Sequence, residues 1–252
     1  MRSEAEFLRA RSLTAKGHLD REVERLTGIP RRTVSGWRRG ESRRNARSQC
    51  GGISEIDHDF SQLPPGPYAY LLGLYLGDGY ISAGRREVWC LRVTLDSAYP
   101  GIIDECCAAL KAIFPRKTAR RGARRNSRCV DVSMWSKHWP CFFPQHGPGR
   151  KHLRPIFLTP WQAGIVEANR KPFVRGLIHS DGTRIVATER KGSYVRRAPR
   201  YAFSNKSEDI KRLFCESCDA LGVRWTRPSD RQIAIYRKES VALLDEFVGP
   251  KR

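Results

Sequence analysis

Two apolar segments of this chain end in the same Asp-Gly pair, 103 residues apart. The first reads Leu71-Leu72-Gly73-Leu74-Tyr75-Leu76-Gly77-Asp78-Gly79 and the second Val174-Arg175-Gly176-Leu177-Ile178-His179-Ser180-Asp181-Gly182. Small residues recur four apart in each, Gly73 with Gly77 and Gly176 with Ser180. On a helix that spacing gathers them on one face. A face without bulk lets two helix backbones come closer than the usual ~8–10 Å. These four residues are therefore expected to form the contact between two packed helices. Each terminating glycine is expected to take the left-handed conformation. The aspartates are the odd component. A carboxylate at a helix C-terminus faces the negative end of the dipole, and in a packed pair the two carboxylates also face each other. Folding gains nothing from that. A divalent cation relieves it, and Mg²⁺, which takes oxygen ligands and substrate phosphates, suits it best. Metals beside a scissile phosphate activate water and stabilise the leaving oxygen.

The repetition extends beyond the motif. After PYAYLLGLYLGDGYI come a short strand, a strand over Glu87–Thr94, a helix over Tyr99–Phe114, the basic stretch RKTARRGARR, a strand over Arg128–Met134, and a short helix closing on HGPGRKH. After KPFVRGLIHSDGTRI come a strand pair ending in RYAFSN, a helix over Glu208–Leu221, strands near Val223–Thr226 and Gln232–Tyr236, and a last helix ending at FVGPKR. Each unit reads as helix, two strands, helix, two strands, helix. The endings also match, Gly147-Pro148-Gly149-Arg150-Lys151 against Gly249-Pro250-Lys251. An internal duplication accounts for all of this.

From Pro67 to Arg252 the chain resembles the LAGLIDADG homing endonucleases. The two motifs carry that resemblance. Leu76 and His179 stand at the first acidic position of the family's string, while the last acidic position is kept as Asp78 and Asp181. The resemblance implies an α+β fold of two pseudo-symmetric αββαββα halves that form a saddle over the DNA major groove, with strands reading bases. It implies that Asp78 and Asp181 hold the catalytic Mg²⁺, with Mn²⁺ able to substitute, and that Gly77 and Ser180 belong to the metal set. Lys151 and Lys251 stand where family members often place an active-site lysine. Asn205 matches a position that often orients water. The first unit has Leu95 there, so two unequal sites are expected. With both copies in one chain, a monomer acting on a long asymmetric site of double-stranded DNA is the implied form. A transcription regulator without cleavage and an RNA-splicing maturase share the fold and stay open as alternatives.

The first forty residues read as helices. Leu19–Leu26 is helical, Thr27-Gly28-Ile29-Pro30 breaks it, and residues 31–39 resume with Val34 and Trp37 on one face. A glycine in a tight bend between short helices is what a helix-turn-helix needs. Arg31, Arg32, Thr33, Ser35 and Arg38 are then the residues offered to DNA, and the segment VERLTGIPRRTVSGWRRG resembles those of DNA-binding regulators and recombinases. Four regions follow: a helix-turn-helix segment over 1–45, a polar linker over 46–66, and halves over 67–158 and 159–252.

Composition agrees with a polyanionic partner. The 252 residues carry a net charge of +21, and arginine outnumbers lysine 36 to 11. Each such side chain near a phosphate releases condensed counterions, and arginine adds bidentate geometry. Hydrophobic residues make up 40%, enough for a packed core. No apolar run reaches the roughly 18 residues of a membrane span, and the charged N-terminus does not read as a signal peptide. A cytoplasmic protein is expected, nucleoid-associated if bacterial. Its eight cysteines are then reduced. Cys215 and Cys218 form a lone CxxC read as buried small hydrophobes, and His138, Cys141, His146 and His152 are too irregularly spaced to read firmly as a zinc site.

Overall fold

The computed structural model describes residues 4–38, 60–191 and 194–251. The chain divides into two compact units, Met1–Gly52 and Ile53–Arg252.

The first unit holds α1 (Glu4–Ala15), α2 (Asp20–Thr27) and α3 (Arg31–Arg38). Gly28 at φ 68° ends α2, its N–H donating to the Glu24 carbonyl. A side chain at that φ would be strained, so glycine sets the bend. Ala10, Val23, Ile29 and Val34 form a small core with Leu13 and Trp37 against it. Of the expected linker, residues 46–59 lie outside the described residues. Its last part is built into the second unit: Phe60 stacks on Trp161 at 3.9 Å, and the motif helix begins at Pro65, two residues early. A proline in the first helical turn loses no hydrogen bond, which is why LPPGP opens the helix rather than stopping the chain before it.

The second unit runs α4 (Pro65–Asp78), β1 (Gly79–Ala83), β2 (Trp89–Asp96), α5 (Pro100–Ile113), β3 (Arg120–Ala123), β4 (Cys129–Ser136) and α6 (Trp139–Phe142). After α7 (Pro160–Ala168) the order repeats as α8 (Arg170–Asp181), β5 (Gly182–Lys191), β6 (Tyr194–Ser204), α9 (Glu208–Ala220), β7 (Thr226–Ser229), β8 (Gln232–Ile235) and α10 (Lys238–Phe247). The sheets are antiparallel, ordered β1-β2-β4-β3 and β5-β6-β8-β7. The place of one strand and the existence of one helix were not legible beforehand. Strand β3 lies inside the basic stretch, where four exposed residues give no apolar alternation. Helix α7 bridges the halves. Its buried Gln162 bonds the Gln145 side chain and the Tyr68 hydroxyl, a polar join that an apolar-period reading passes over.

One face of each sheet lies against the helices. Ile81, Leu91, Val93, Leu95, Val132 and Met134 enter the core on one side, Tyr201, Phe203, Ile233 and Ile235 on the other. Helix α4 is buried nearly all round from Tyr68 to Leu76. Leu71, Leu72 and Leu74 are each fully buried, a burial that stabilises by about 1.5–3 kcal/mol per side chain. The alternate residues of the strands point to the opposite, open face. No helix among the described residues is long and apolar enough to cross a membrane.

Candidate active site at the ends of the motif helices

Helices α4 and α8 touch backbone to backbone. A methyl group on Gly73 would stand 2.5 Å from the Phe173 carbonyl and 2.8 Å from the Leu177 nitrogen. One on Gly176 would run into the Tyr70 carbonyl and stand 3.0 Å from the Leu74 nitrogen. One on Gly77 would collide with the Ser180 side chain and stand 3.0 Å from Asp181 Oδ2. The small residues therefore bring the two helices together, and the contact ends at the aspartates.

The two Asp-Gly glycines differ from expectation. Gly79 (φ −85°, ψ 149°) and Gly182 (φ −99°, ψ 167°) are extended, not left-handed. What requires glycine is room. A methyl on Gly182 would stand 2.6 Å from Ile178 Cα, and one on Gly79 would collide with Tyr75 Cα. The chain folds back tightly against its own helix and leaves straight into β1 or β5.

Both carboxyls are pushed up. Burial is the first cause at Asp78, raised to about 6, and the Asp181 charge is the second. Burial also raises Asp181, opposed by a hydrogen bond from Asn205. Asp78 opens to solvent at its rim, yet dense protein around its base sets the direction of its shift. Asn205 Nδ2 donates to Asp181 Oδ2 at 2.6 Å, and its Oδ1 accepts from the Ser207 N–H at 2.7 Å, which fixes the amide. In the register, Gly182 faces Phe203 as Gly79 faces Val93, so Leu95 is the counterpart of Asn205. Leu95 is buried in the core. The two aspartates thus have different neighbours.

Lys151 and Lys251 both reach the ends of the motif helices. Lys151 Nζ donates to the carbonyls of Leu76 and Gly77, each at 3.0 Å, and to that of Tyr75. Lys251 Nζ donates to those of His179 at 2.9 Å and Ser180 at 3.4 Å. Helix carbonyls left without partners at a C-terminus are natural acceptors for a cation. Burial pushes Lys151 down to about 8 and lowers Lys251 as well, while the two aspartates pull both the other way.

These contacts alter the reading of Gly77 and Ser180. Their carbonyls already accept from the lysines, and the Ser180 hydroxyl donates back to Gly176 and Leu177. The side chains that could hold a cation directly are the two carboxylates. Among the described residues no third His, Cys, Asp or Glu joins them. Two carboxylates, with water and substrate phosphate for the rest, is the donor set Mg²⁺ accepts. Among the described residues no group of three such side chains gathers around His138, Cys141, His146 and His152 either. His146 packs on Trp89, and His138 lies near Phe114 and Phe142. At the first acidic position, Leu76 is core and His179 is buried. Its Nδ1 lies 2.9 Å from the Tyr70 hydroxyl, and its pKa is lowered to about 3, chiefly by burial.

In the N-terminal unit, Arg31 and Arg32 are exposed and Thr33 and Ser35 half-buried. Arg38 is occupied differently. Its Nε pairs with Asp20 at 2.8 Å, and its Nη2 donates to the His18 carbonyl at 2.5 Å. It ties α3 to the start of α2.

The open sheet faces hold residues that the sequence reading missed. Tyr80, Arg92, Ser133 and Arg120 lie in one cross-strand row of the first sheet. The matching row of the second is Thr183, Ala202, Ala234 and Thr226, with Ala234 buried beneath its neighbours. Period-two alternation was the available signal, weak here because four of the strands, β1, β3, β7 and β8, have only four or five residues.

No family model matches the chain, and no curated protein matches it in sequence. Solved structures do. I-DmoI in complex with DNA and Mn is 14% identical with a TM-score of 0.50, covering 75% of this chain and 98% of its own. The chain has the two-half LAGLIDADG fold. The meganuclease I-SmaMI bound to uncleaveable DNA matches at 12% identity and TM-score 0.47, over 73% of this chain and 83% of its own. The LAGLIDADG meganuclease I-AabMI bound to uncleaved DNA matches at 12% and 0.43, over 72% and 84%. In the LAGLIDADG fold of this chain, the motif helices are the seam between the halves, and the two aspartates stand at its end.

Proposed function

We propose that the chain is a site-specific double-stranded DNA endonuclease of the homing type, acting as a monomer. One observation carries the reading: two carboxylates, raised in pKa and set side by side by a glycine-to-glycine helix contact, each with a lysine at the matched helix end. Nothing in folding rewards that arrangement, and a metal-assisted phosphodiester hydrolysis uses it. Bound Mg²⁺, or Mn²⁺ in its place, supplies water activation and charge stabilisation at the leaving oxygen.

The chain's own groups do the rest. Asp78 and Asp181 would hold the cation through their carboxylates. Asn205 keeps Asp181 in one orientation. Lys151 and Lys251 place positive charge beside the phosphate, where it offsets charge developing in the transition state. The two open sheet faces read the duplex, and their unlike rows, polar and charged in one half and small in the other, suit unlike half-sites. Arg31 and Arg32 of the N-terminal unit supply further phosphate or base contacts, with Thr33 and Ser35 beside them.

The test is incubation with a randomised duplex library and Mg²⁺, followed by sequencing of the cut ends. Enrichment of one long, non-palindromic sequence is expected. Selective binding without cutting in Mg²⁺ or Mn²⁺ returns the chain to the regulator reading, and preference for a structured intron RNA to the maturase one. Affinity should fall steeply with salt, since phosphate contacts release counterions.

A further inference from the structure

We infer that Arg154 and Arg175 are positioning residues, each fixing the Gly-Pro turn from which one lysine reaches a motif-helix end. The inference rests on the nuclease reading only for its effect on cleavage. The two turns are alike in backbone. Gly149 at φ 74° and Gly249 at φ 67° are both left-handed, and each stands two residues before its lysine. Such a turn exposes carbonyls that the surrounding chain must bind, or the lysine has no fixed origin.

In the first half, Arg154 binds them. Its Nη1 donates to Gly149 at 3.1 Å and Pro148 at 3.3 Å, while Nε and Nη2 hold the Gln145 carbonyl at 3.3 and 3.1 Å. In the second half, Arg175, within the motif helix, binds the two carbonyls just ahead of the turn. Its Nη1 donates to the carbonyls of Phe247 and, at 3.2 Å, Val248. Its other donors grip Glu105 of α5, Nε at 2.8 Å and Nη2 at 2.9 Å. Tyr201, bonded to Asp245 at 2.5 Å, also lies 3.3 Å from the Gly249 carbonyl. The two arginines come from different places in the chain, one holding its turn directly and the other the end of the helix that leads into its turn. Guanidinium suits the task because its donors form a rigid fork that can bind two partners at once.

A long flexible lysine needs such a base. Its ammonium must sit within a fraction of an ångström of a working position, and small displacements reduce rate strongly. Loosening one turn should therefore disturb one lysine and leave the other in place.

The test has two readouts on the full chain. The first is lysine labelling by acetic anhydride in the DNA-free protein, followed by mass spectrometry. Arg175→Met should raise labelling of Lys251 several-fold and leave Lys151 unchanged, and Arg154→Met should do the reverse. Arg175→Lys keeps the charge while losing the fork, and serves if Arg175→Met leaves Glu105 unpaired and fails to fold. The second is single-turnover cutting of each strand. Arg175→Met should slow one strand about tenfold or more, the same strand that Lys251→Met slows, with little change in affinity. Added to Lys251→Met it should slow cutting little further, the non-additivity expected of groups acting through one another. Unchanged labelling in the folded variants overturns the assignment, as does equal labelling of both lysines. Selective labelling in a protein that cuts no DNA upholds the clamps and places the failure in the nuclease reading, while selective labelling beside Lys→Met variants that cut normally upholds the clamps and removes the lysines from catalysis.

Discussion

At the scale of the residue, Asp78 works against the fold that holds it. Its carboxyl, pushed up to about 6, binds its proton more tightly in the folded chain than in the unfolded one. The stabilisation linked to that proton is present at acid pH and lost as pH rises through about 6. Asp78→Asn removes the penalty. The full shift corresponds to about 3 kcal/mol, and solvent screening at this open carboxylate brings the expected gain nearer about 1 kcal/mol at pH 7. Chemical unfolding at about pH 3, below the ordinary value of 3.8, and at pH 7 should show the gain only at the higher pH, and an equal gain at both would deny the charge its role. The same substitution, and Asp181→Asn, should abolish double-strand cutting while leaving affinity for target DNA within a few-fold. Cutting by the unsubstituted protein should decline as pH falls through about 6, because a protonated carboxyl holds no cation. Asp181 has the amide of Asn205 to steady its charge and Asp78 has none, so Asn205→Leu should shift the acid limb of the pH profile upward for one strand only.

At the scale of the element, the seam between the halves is made of backbone, and that sets what it tolerates. Gly176→Val places a side chain against the Tyr70 carbonyl and the Leu74 nitrogen, atoms that cannot move without moving α4. A loss of about 3 kcal/mol or more is expected, at the upper end of overpacking. Gly164 in α7 meets nothing within 4 Å, so Gly164→Ala should stabilise by about 0.5–1 kcal/mol through helix propensity alone. Thermal melts of the two variants should move in opposite directions. The seam was legible because four-residue spacing of small side chains has few other uses in a buried helix. Asp78, Asp181, both lysines and Asn205 were named from sequence and stand together at its end. The conformation of Gly79 and Gly182 was not legible, since crowding against a residue four back leaves no mark in composition. Nor was the role of Arg38, which a helical wheel turns outward but an ion pair to Asp20 holds down. Strand β3 and the arginine clamps escaped for a similar reason: charged residues that do structural duty look like surface.

At the scale of the whole molecule, the chain joins a small three-helix unit to a duplicated one, and the two should be separable. A protein lacking residues 1–45 should keep Mg²⁺-dependent cutting and bind its target more weakly, with a shorter protected footprint. A truncated protein that melts cooperatively but cuts nothing would show that the N-terminal unit belongs to the catalytic machinery. The duplication itself is uneven. Strand β1 has five residues and β5 has ten, and the second hairpin's ladder is longer by five paired positions. At ~3.3 Å per residue that is roughly 16 Å of extra ribbon, close to the length of five stacked base pairs at ~3.4 Å each. If sheets of this kind lie along a groove, the midpoint of the recognised sequence and the point of scission do not coincide. Nuclease protection mapped from the cut outward should extend about five base pairs further on one flank, and trimming the longer hairpin to the length of the shorter should centre the cut within the footprint.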